Sequence, residues 1–214
     1  MLETTKKKLD ALYAGGRHPG TDGQLHPINA ITRIDREEGE AIARLHRTMR
    51  PALSVEIGLA YGFSTLHILD AMAEGDYGHH IAIDPGADSF WHGIGLQAVR
   101  DAGLERRFEW IKAISAEALA TLRASGRRAQ FVFIDGSHLF DHALIDFSLS
   151  DQVLEVGGVI LLDDVWMPAI RRLVAYIARN MRWYERLGAI GHPGLAGFTK
   201  VGRDSRRWNH FEDF

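Results

Sequence analysis

The chain has 214 residues, of which 46% are hydrophobic and 25% charged, and its net charge is −3. This composition is typical of a globular domain with a sizeable core, and the weakly acidic balance gives no reason to expect nucleic acid as a partner. The absence of cysteine excludes disulfides, thiolate metal sites and cysteine nucleophiles. We find no signal peptide and no apolar run long enough to span a bilayer, so we expect a cytoplasmic protein without a membrane partner.

The first fifty residues, 1–50, are predicted to form a helical arm or lid. An amphipathic helix is expected over about residues 2–13, and a second from about Asp35 to Arg50, where Pro51 follows. Residues 18–28 between them are rich in glycine and proline and are interpreted as a loop. The amphipathic helices are also a candidate surface for a homodimer.

From residue 51 the pattern predicts one compact α/β unit, 51–214. Apolar runs alternate with helical segments, and five of these runs lie at 53–58, 79–84, 107–113, 129–135 and 158–164. Apolar strands separated by helices are typical of a parallel sheet covered on both faces. Gly157-Gly158 is expected to end the helix before the fifth run, and weaker runs near 184–189 and 197–201 predict an antiparallel edge hairpin. The predicted fold is a doubly wound, mostly parallel, seven-stranded Rossmann-like sheet.

The segment from Val55 to Leu69 has the pattern of a strand, a glycine loop and a helix. Gly58 and Gly62 let the backbone turn tightly and approach a ligand, and the free N–H groups at the helix start face the same crevice. Asp84 ends the next strand, about 20 residues beyond the loop, where nucleotide-binding α/β folds place the acid that binds ribose hydroxyls. Glu56 adds a second carboxylate, which would repel a pyrophosphate but not a cationic cofactor. S-adenosylmethionine is therefore favoured over a dinucleotide.

The residues E-I-G-L-A-Y-G-F-S-T, 56–65, resemble motif I of class I S-adenosylmethionine-dependent methyltransferases, especially the small O-methyltransferases. The resemblance implies a methionine end at the glycine loop, a ribose site at Asp84 and an adenine contact at Ser115. The cofactor-binding residues expected from it are Glu56, Gly58, Tyr61, Gly62, Ser64, Asp84, Ser115 and Asp135.

Carboxylates also follow two later strands. Asp135 ends the fourth strand, and Asp163 and Asp164 end the fifth. On neighbouring parallel strands about 4.8 Å apart, they would converge and raise one another's pKa values unless a cation lay between them. An all-oxygen set suits Mg²⁺, Mn²⁺ or Ca²⁺ better than zinc. Acids at strand ends are also common without any metal, so that alternative stays open.

His138 follows Asp135 by three residues and is a candidate general base, because imidazole titrates near neutrality. It could equally face solvent or be a fourth metal ligand. The D-x-x-H pattern with a later acidic pair resembles divalent-metal-dependent sugar O-methyltransferases of the macrocin type and the cephalosporin hydroxylase-like group. Catechol O-methyltransferases carry lysine at the position matched by His138 and asparagine at that matched by Asp164.

The resemblance implies methyl transfer to a hydroxyl oxygen of a small molecule, with a divalent metal that positions this acceptor. Three alternatives stay open at this point. They are a metal-independent N- or O-methyltransferase, a nicotinamide oxidoreductase on a similar sheet, and a cofactor-binding protein without catalysis.

Overall fold

The first fifty residues form two helices and a hairpin in the computed structural model, which describes all 214 residues. The elements are α1 (Glu3–Ala14), β1 (Arg17–Pro19), β2 (Leu25–Pro27) and α2 (Arg36–Met49). Asp35 caps α2, since its carboxylate accepts the backbone N–H of Glu38 at 2.9 Å. Both predicted helices are present. The prediction of a plain loop over 18–28 is wrong, because Gly23 at φ 76° closes a turn that lets β1 and β2 pair.

A seven-stranded sheet forms the centre of the fold. Its strands are β3 (Leu53–Ile57), β4 (His79–Ile83), β5 (Phe108–Ile111), β6 (Ala129–Ile134), β7 (Leu154–Leu162), β8 (Tyr184–Arg186) and β9 (Ala196–Lys200). They lie in the order β5-β4-β3-β6-β7-β9-β8, and the first five are parallel while β9 runs antiparallel between β7 and β8. This confirms the predicted sheet and its edge hairpin. Because the chain order reverses between β3 and β6, a ligand crevice is expected at their carboxyl ends.

Helices cover both faces of the sheet. The remaining ones are α3 (Phe63–Gly75), α4 (Ile94–Asp101), α5 (Ser115–Ala124), α6 (Phe140–Val153) and α7 (Pro168–Asn180). Gly157-Gly158 was expected to end α6, but that helix ends at Val153 and the glycines lie inside β7. There the pairing with β6 shifts register, and Gly157 at φ 92° supplies the irregular backbone. None of the helices combines the length and apolar composition needed to cross a membrane.

Alternation along the strands divides the core into two layers. In β6, Val132 and Ile134 pack with α5, α6 and α7, whereas Phe131 and Phe133 face α1 to α4. The N-terminal segment contributes Leu9, Leu12 and Ile42 to the second layer, and all are at most 1% exposed. Burying each such side chain stabilises the fold by roughly 1.5–3 kcal/mol. The first fifty residues therefore supply part of the main core.

A buried histidine lies in the second layer. His46 of α2 is fully buried, with its ring edge-on to Phe131 at 5.1 Å between centroids and its Nδ1 2.9 Å from the Tyr77 hydroxyl. Burial lowers the pKa of His46 to about 3. Burial also lowers the pKa of His67, in α3, to about 4. Both imidazoles are therefore neutral in the folded protein at neutral pH.

We predict that acid weakens the fold through His46. Its folded-state pKa lies below the unfolded value near 6.5, so the unfolded chain binds the proton first as the pH falls. The free energy of unfolding should therefore drop below about pH 6.5, by about 1.4 kcal/mol per pH unit for this group. Urea unfolding followed by circular dichroism between pH 6.5 and 5 should show a shallower decline in His46→Gln. Identical slopes in the two proteins would contradict the assignment.

Candidate active site

A crevice of about 470 Å³ opens at the carboxyl ends of β3, β4 and β6, where the strand order reverses. Four of the predicted cofactor residues lie in its wall, namely Gly58, Asp84, Ser115 and Asp135. Trp91, from the segment between β4 and α4, also lines it. The elongated cofactor predicted from the sequence therefore has a continuous path from the glycine loop to the start of α5.

Asp84 fixes the shape of the glycine loop. Its Oδ2 accepts the backbone N–H groups of Leu59 at 3.1 Å and Ala60 at 2.9 Å, and its Oδ1 accepts that of Gly86 at 2.7 Å. Ala60 has φ 45°, a left-handed conformation that costs a non-glycine residue free energy and that these bonds help to hold. A carboxylate has about four acceptor positions, so Asp84 keeps capacity for hydroxyl donors in the crevice.

Close backbone contacts explain three glycines of the site. A Cβ at Gly58, which has φ 97°, would lie 2.1 Å from the carbonyl oxygen of Asp135. A Cβ at Gly95, in the first turn of α4, would lie 2.8 Å from the carbonyl oxygen of Ala60 and 2.9 Å from the backbone nitrogen of Gly62, and a Cβ at Gly62 would lie 3.0 Å from the Cα of Gly95. Sequence reasoning missed Gly95. Its signal is an isolated glycine inside a helical pattern, which often marks close packing.

Four predicted cofactor residues, Glu56, Tyr61, Gly62 and Ser64, do not line the crevice. The Glu56 carboxylate is fully buried beneath the loop, where it accepts the hydroxyls of Ser64 and Thr65 and lies 3.0 Å from His80 Nε2. Tyr61 is buried, and its hydroxyl accepts the backbone N–H of Asn29 at 3.2 Å. Through these contacts Glu56 of β3 links that strand to β4 and α3. Direct contacts of these four residues with the cofactor stay predictions.

A buried acid lies beside Ser115. Asp146 of α6 lines the crevice although it is only 4% exposed, and its Oδ1 accepts the Ser115 hydroxyl. Burial raises the pKa of Asp146, and the bond from Ser115 opposes that shift. Sequence reasoning missed Asp146. Its only signal is an acid among apolar residues on one helix, which does not identify a ligand by itself.

An acidic cluster adjoins the crevice at Asp135. His138 Nε2 lies 2.7 Å from Asp164 Oδ2 and 3.6 Å from Asp135 Oδ1, and one ligand atom from each of the three residues lies within 4.8 Å of the others. Asp164 has φ 55° and accepts the indole N–H of Trp166 at 2.6 Å. Two of the three predicted metal ligands thus converge with the predicted base.

The third predicted ligand, Asp163, faces the N-terminal segment. Its Oδ1 accepts the backbone N–H of Asp164 at 2.6 Å, and it borders Glu38 of α2. His192, from the loop between β8 and β9, lies 3.1 Å from Glu38 Oε1 and 3.2 Å from Asp35 Oδ2. Sequence reasoning missed Glu38 and His192. The pattern D-x-x-E at the start of α2 is typical of a helix capping box, which gave no reason to look further.

Several carboxylates lie close together in and around the acidic cluster, and they shift one another's pKa values. Burial, then the neighbouring Asp163, raises the pKa of Asp135, and burial with Glu38 raises that of Asp163. Hydrogen bonding to Asp135 and Asp164 raises the pKa of His138 to about 10. Burial opposes ionisation of Asp164, but its contact with His138 outweighs this effect and lowers the pKa. Oxygen donors in this number and charge fit a divalent cation such as Mg²⁺.

We predict that Gly58→Ala damages the site more than Gly157→Ala does. Both glycines have similar positive φ values, 97° and 92°, but a Cβ at Gly157 meets no atom within 4 Å. The backbone penalty, about 1–2 kcal/mol, is thus shared, and only Gly58→Ala adds the clash with Asp135. Urea unfolding and calorimetric titration with S-adenosylhomocysteine should show a larger loss of stability and of binding for Gly58→Ala. Equal losses would contradict this assignment.

Comparison with known proteins agrees with the geometry. Residues 55–165 match the model of a methyltransferase domain family. A flavonoid 3',5'-methyltransferase of Vitis vinifera is 25% identical over 171 residues, 78% of this chain and 69% of that protein. A caffeoyl-CoA O-methyltransferase of Stellaria longipes is 26% identical over 133 residues, 59% of this chain and 51% of that protein. The chain thus spans about half to two thirds of the length of these relatives.

Solved structures share the fold. An O-methyltransferase from Bacillus cereus in complex with SAH superposes with a TM-score of 0.70 at 18% identity, over 94% of this chain and 92% of that one. TomG from Streptomyces achromogenes, in complex with SAM, gives 0.70 at 17% identity over 94% and 91%. The family match covers more than half of the chain and includes the glycine loop, Asp84 and the acidic cluster. The chain therefore belongs to this methyltransferase domain family and is a class I S-adenosylmethionine-dependent methyltransferase.

Proposed function

We propose that the enzyme methylates a hydroxyl oxygen of a small catechol-type phenol, with a divalent cation held by Asp135, Asp163 and Asp164. The observation that carries this proposal is the convergence of Asp135, Asp164 and His138 directly beside the cofactor crevice. Asp135 belongs to both the crevice and the cluster, so donor and acceptor would meet at that residue.

The reaction is a single in-line displacement. A lone pair of the acceptor oxygen attacks the methyl carbon of S-adenosylmethionine, the carbon–sulfur bond breaks, and its electron pair remains on sulfur to give S-adenosylhomocysteine. The hydroxyl proton passes to the imidazole of His138. The crevice and the cluster hold the two reactants in line, which lowers the entropic part of the barrier.

The cation, when bound, lowers the pKa of the acceptor hydroxyl and fixes its direction. His138 must be neutral to accept a proton, yet its carboxylate neighbours raise its pKa to about 10. Positive charge shared among those carboxylates would lower the pKa of His138 toward neutrality. The same acids that hold the cation therefore also set the protonation state of the base.

The surface around the cluster supports an aromatic acceptor. Trp166 is 67% exposed and lies two residues after Asp164, and Leu139 is 59% exposed and directly follows His138. A planar ring stacks well on an exposed indole, while two adjacent oxygens suit chelation of a cation. The names of the two plant relatives, a flavonoid and a caffeoyl-CoA methyltransferase, point to phenolic acceptors as well.

We predict that purified enzyme with Mg²⁺ methylates caffeate, which has two adjacent hydroxyls, far faster than 4-coumarate, which has one. Formation of S-adenosylhomocysteine, measured by chromatography, should stop in excess EDTA. Asp163→Asn should lose Mn²⁺ binding by at least about tenfold in calorimetry and keep binding of S-adenosylhomocysteine. Asp141→Asn, an exposed acid in the first turn of α6, is the matched control and should bind Mn²⁺ normally. EDTA-resistant turnover with both phenols would contradict the metal role.

We also predict that His138→Gln lowers kcat by about 10²- to 10⁴-fold, because the variant has no group to accept the hydroxyl proton. Its affinity for S-adenosylhomocysteine should stay unchanged, since His138 lies outside the crevice wall. His138→Lys should recover part of the lost rate, with a pH profile shifted to higher pH, because a lysine amine is the stronger base. A His138→Gln enzyme with wild-type kcat would contradict the assignment.

A further inference from the structure

A second group of metal-ligating side chains lies where the start of α2 meets the loop between β8 and β9. It consists of Asp35, Glu38 and His192, and one ligand atom from each residue lies within 4.8 Å of the others. Asp35 and His192 are 157 positions apart in the chain, so only the fold brings them together. The proposed methyl transfer uses none of the three residues.

A buried oxygen of Glu38 points to a ligand at this group. Glu38 is 6% exposed, and its Oε1 is sealed from solvent and accepts no hydrogen bond. A carboxylate oxygen buried in this way destabilises the fold unless a proton donor or a cation faces it. The neighbouring polar atom is Nδ1 of His192, which lies 3.1 Å away.

The imidazole of His192 does not supply the missing proton. Its Nδ1 accepts the backbone N–H of Gly194 at 3.2 Å, and its Nε2 lies 3.2 Å from Asp35 Oδ2, so the ring hydrogen belongs on Nε2. Nδ1 of His192 and Oε1 of Glu38 are therefore two acceptors that face each other. A cation that takes a lone pair from each atom replaces this repulsion with attraction.

Gly194 leaves a gap beside these two atoms. A Cβ at Gly194 would lie 3.0 Å from both Glu38 Oε1 and His192 Nδ1, so any other residue would fill the space in front of both acceptors. Asp35 offers a third donor atom, because only its Oδ1 is used to cap α2. The gap therefore has one nitrogen and two carboxylates around it.

We propose that Asp35, Glu38 and His192 bind a divalent transition-metal cation, Zn²⁺ being the best match, at the gap beside Gly194. One imidazole and two carboxylates form a donor set that Zn²⁺ takes in proteins, with water in the remaining position. The all-oxygen set of Asp135, Asp163 and Asp164 instead suits Mg²⁺. The chain thus offers two cation sites of different chemistry.

The zinc site would hold three segments of the chain together. Asp35 and Glu38 belong to the start of α2, and His192 belongs to the loop between β8 and β9. The Gly194 carbonyl oxygen in that loop accepts the backbone N–H of Val165 at 3.0 Å, directly after the acidic pair at the end of β7. A bound Zn²⁺ therefore stabilises the edge of the sheet next to the active site. This inference does not rest on the proposed acceptor or on the Mg²⁺ site.

Calorimetric titration of the EDTA-treated, dialysed protein with Zn²⁺ tests the proposal. His192→Gln and Gly194→Ala should each weaken zinc binding by at least about tenfold, the first by removing a ligand and the second by filling the gap. His79→Gln, which removes a half-buried imidazole 3.7 Å from Glu109, and Gly188→Ala, whose Cβ meets no atom within 4 Å, are the matched controls and should bind Zn²⁺ normally.

The acidic cluster also contains an imidazole, so His138→Gln is titrated in parallel. Zinc binding that persists in His138→Gln and is lost in His192→Gln belongs to the proposed site. The reverse pattern assigns the zinc to the acidic cluster and overturns the inference. The absence of zinc binding by the wild-type protein would overturn it as well.

Glu38→Gln separates a metal ligand from a residue that merely supports the fold. The variant removes a buried charge and can donate its amide N–H to His192 Nδ1, so without metal it should melt at or above the wild-type temperature. Zn²⁺ should raise the melting temperature of the wild-type protein but not that of Glu38→Gln, because only a cation that binds the folded state stabilises it. An equal zinc-induced rise in both proteins would contradict the proposal.

Discussion

The rest of the site depends on the repulsion among carboxylates gathered at one edge of the sheet. Asp135, Asp163 and Asp164 end two neighbouring parallel strands, so the topology itself fixes them within a few ångströms of one another. Glu38 adds a fourth charge from α2. His138, the predicted base, lies among these acids, and its hydrogen bonds to Asp135 and Asp164 raise its pKa. Repulsion among these carboxylates opposes folding, and a bound cation would offset that repulsion.

The scaffold beneath the site holds it in place with internal hydrogen bonds. Glu56 has no exposure and satisfies its carboxylate with Ser64, Thr65 and His80, so β3, β4 and α3 are tied together under the glycine loop. Asp84 accepts the backbone N–H groups of Leu59 and Ala60 in that loop. Burying the Glu56 and Asp84 carboxylates without hydrogen-bond partners would destabilise the fold. The hydrogen bonds to these partners also hold the glycine loop in one conformation. The cofactor therefore meets a preformed surface.

The sequence was informative wherever a local pattern determines the structure, and uninformative where distant segments meet. Alternating apolar runs predicted the sheet, and the glycine spacing predicted the loop, because both follow from backbone geometry. Glu38 borders Asp163, which lies 125 positions later in the chain, and His192 contacts Glu38 from 154 positions later. No local pattern records these contacts. Asp146 was missed for the same reason, since only the packing of α6 against α5 brings it to Ser115. The predicted end of α6 at Gly157-Gly158 was wrong because glycine occurs both at helix ends and in irregular strands. Here the two glycines lie in β7, where the pairing with β6 shifts register.

The shared position of Asp135 has a further consequence for the reaction. A sulfonium and a divalent cation are both positive, and direct approach of the two would be opposed by their charges. Asp135 belongs to both the crevice and the cluster, so in the proposed reaction its carboxylate would lie between these two charges and attract both. Because the backbone of Asp135 also lies against Gly58, the position of this acid is linked to the glycine loop, where the methionine end is predicted to bind. In the proposed reaction this one residue would set the distance between methyl donor and acceptor oxygen, so small displacements of it should affect the rate more than the affinity for either ligand.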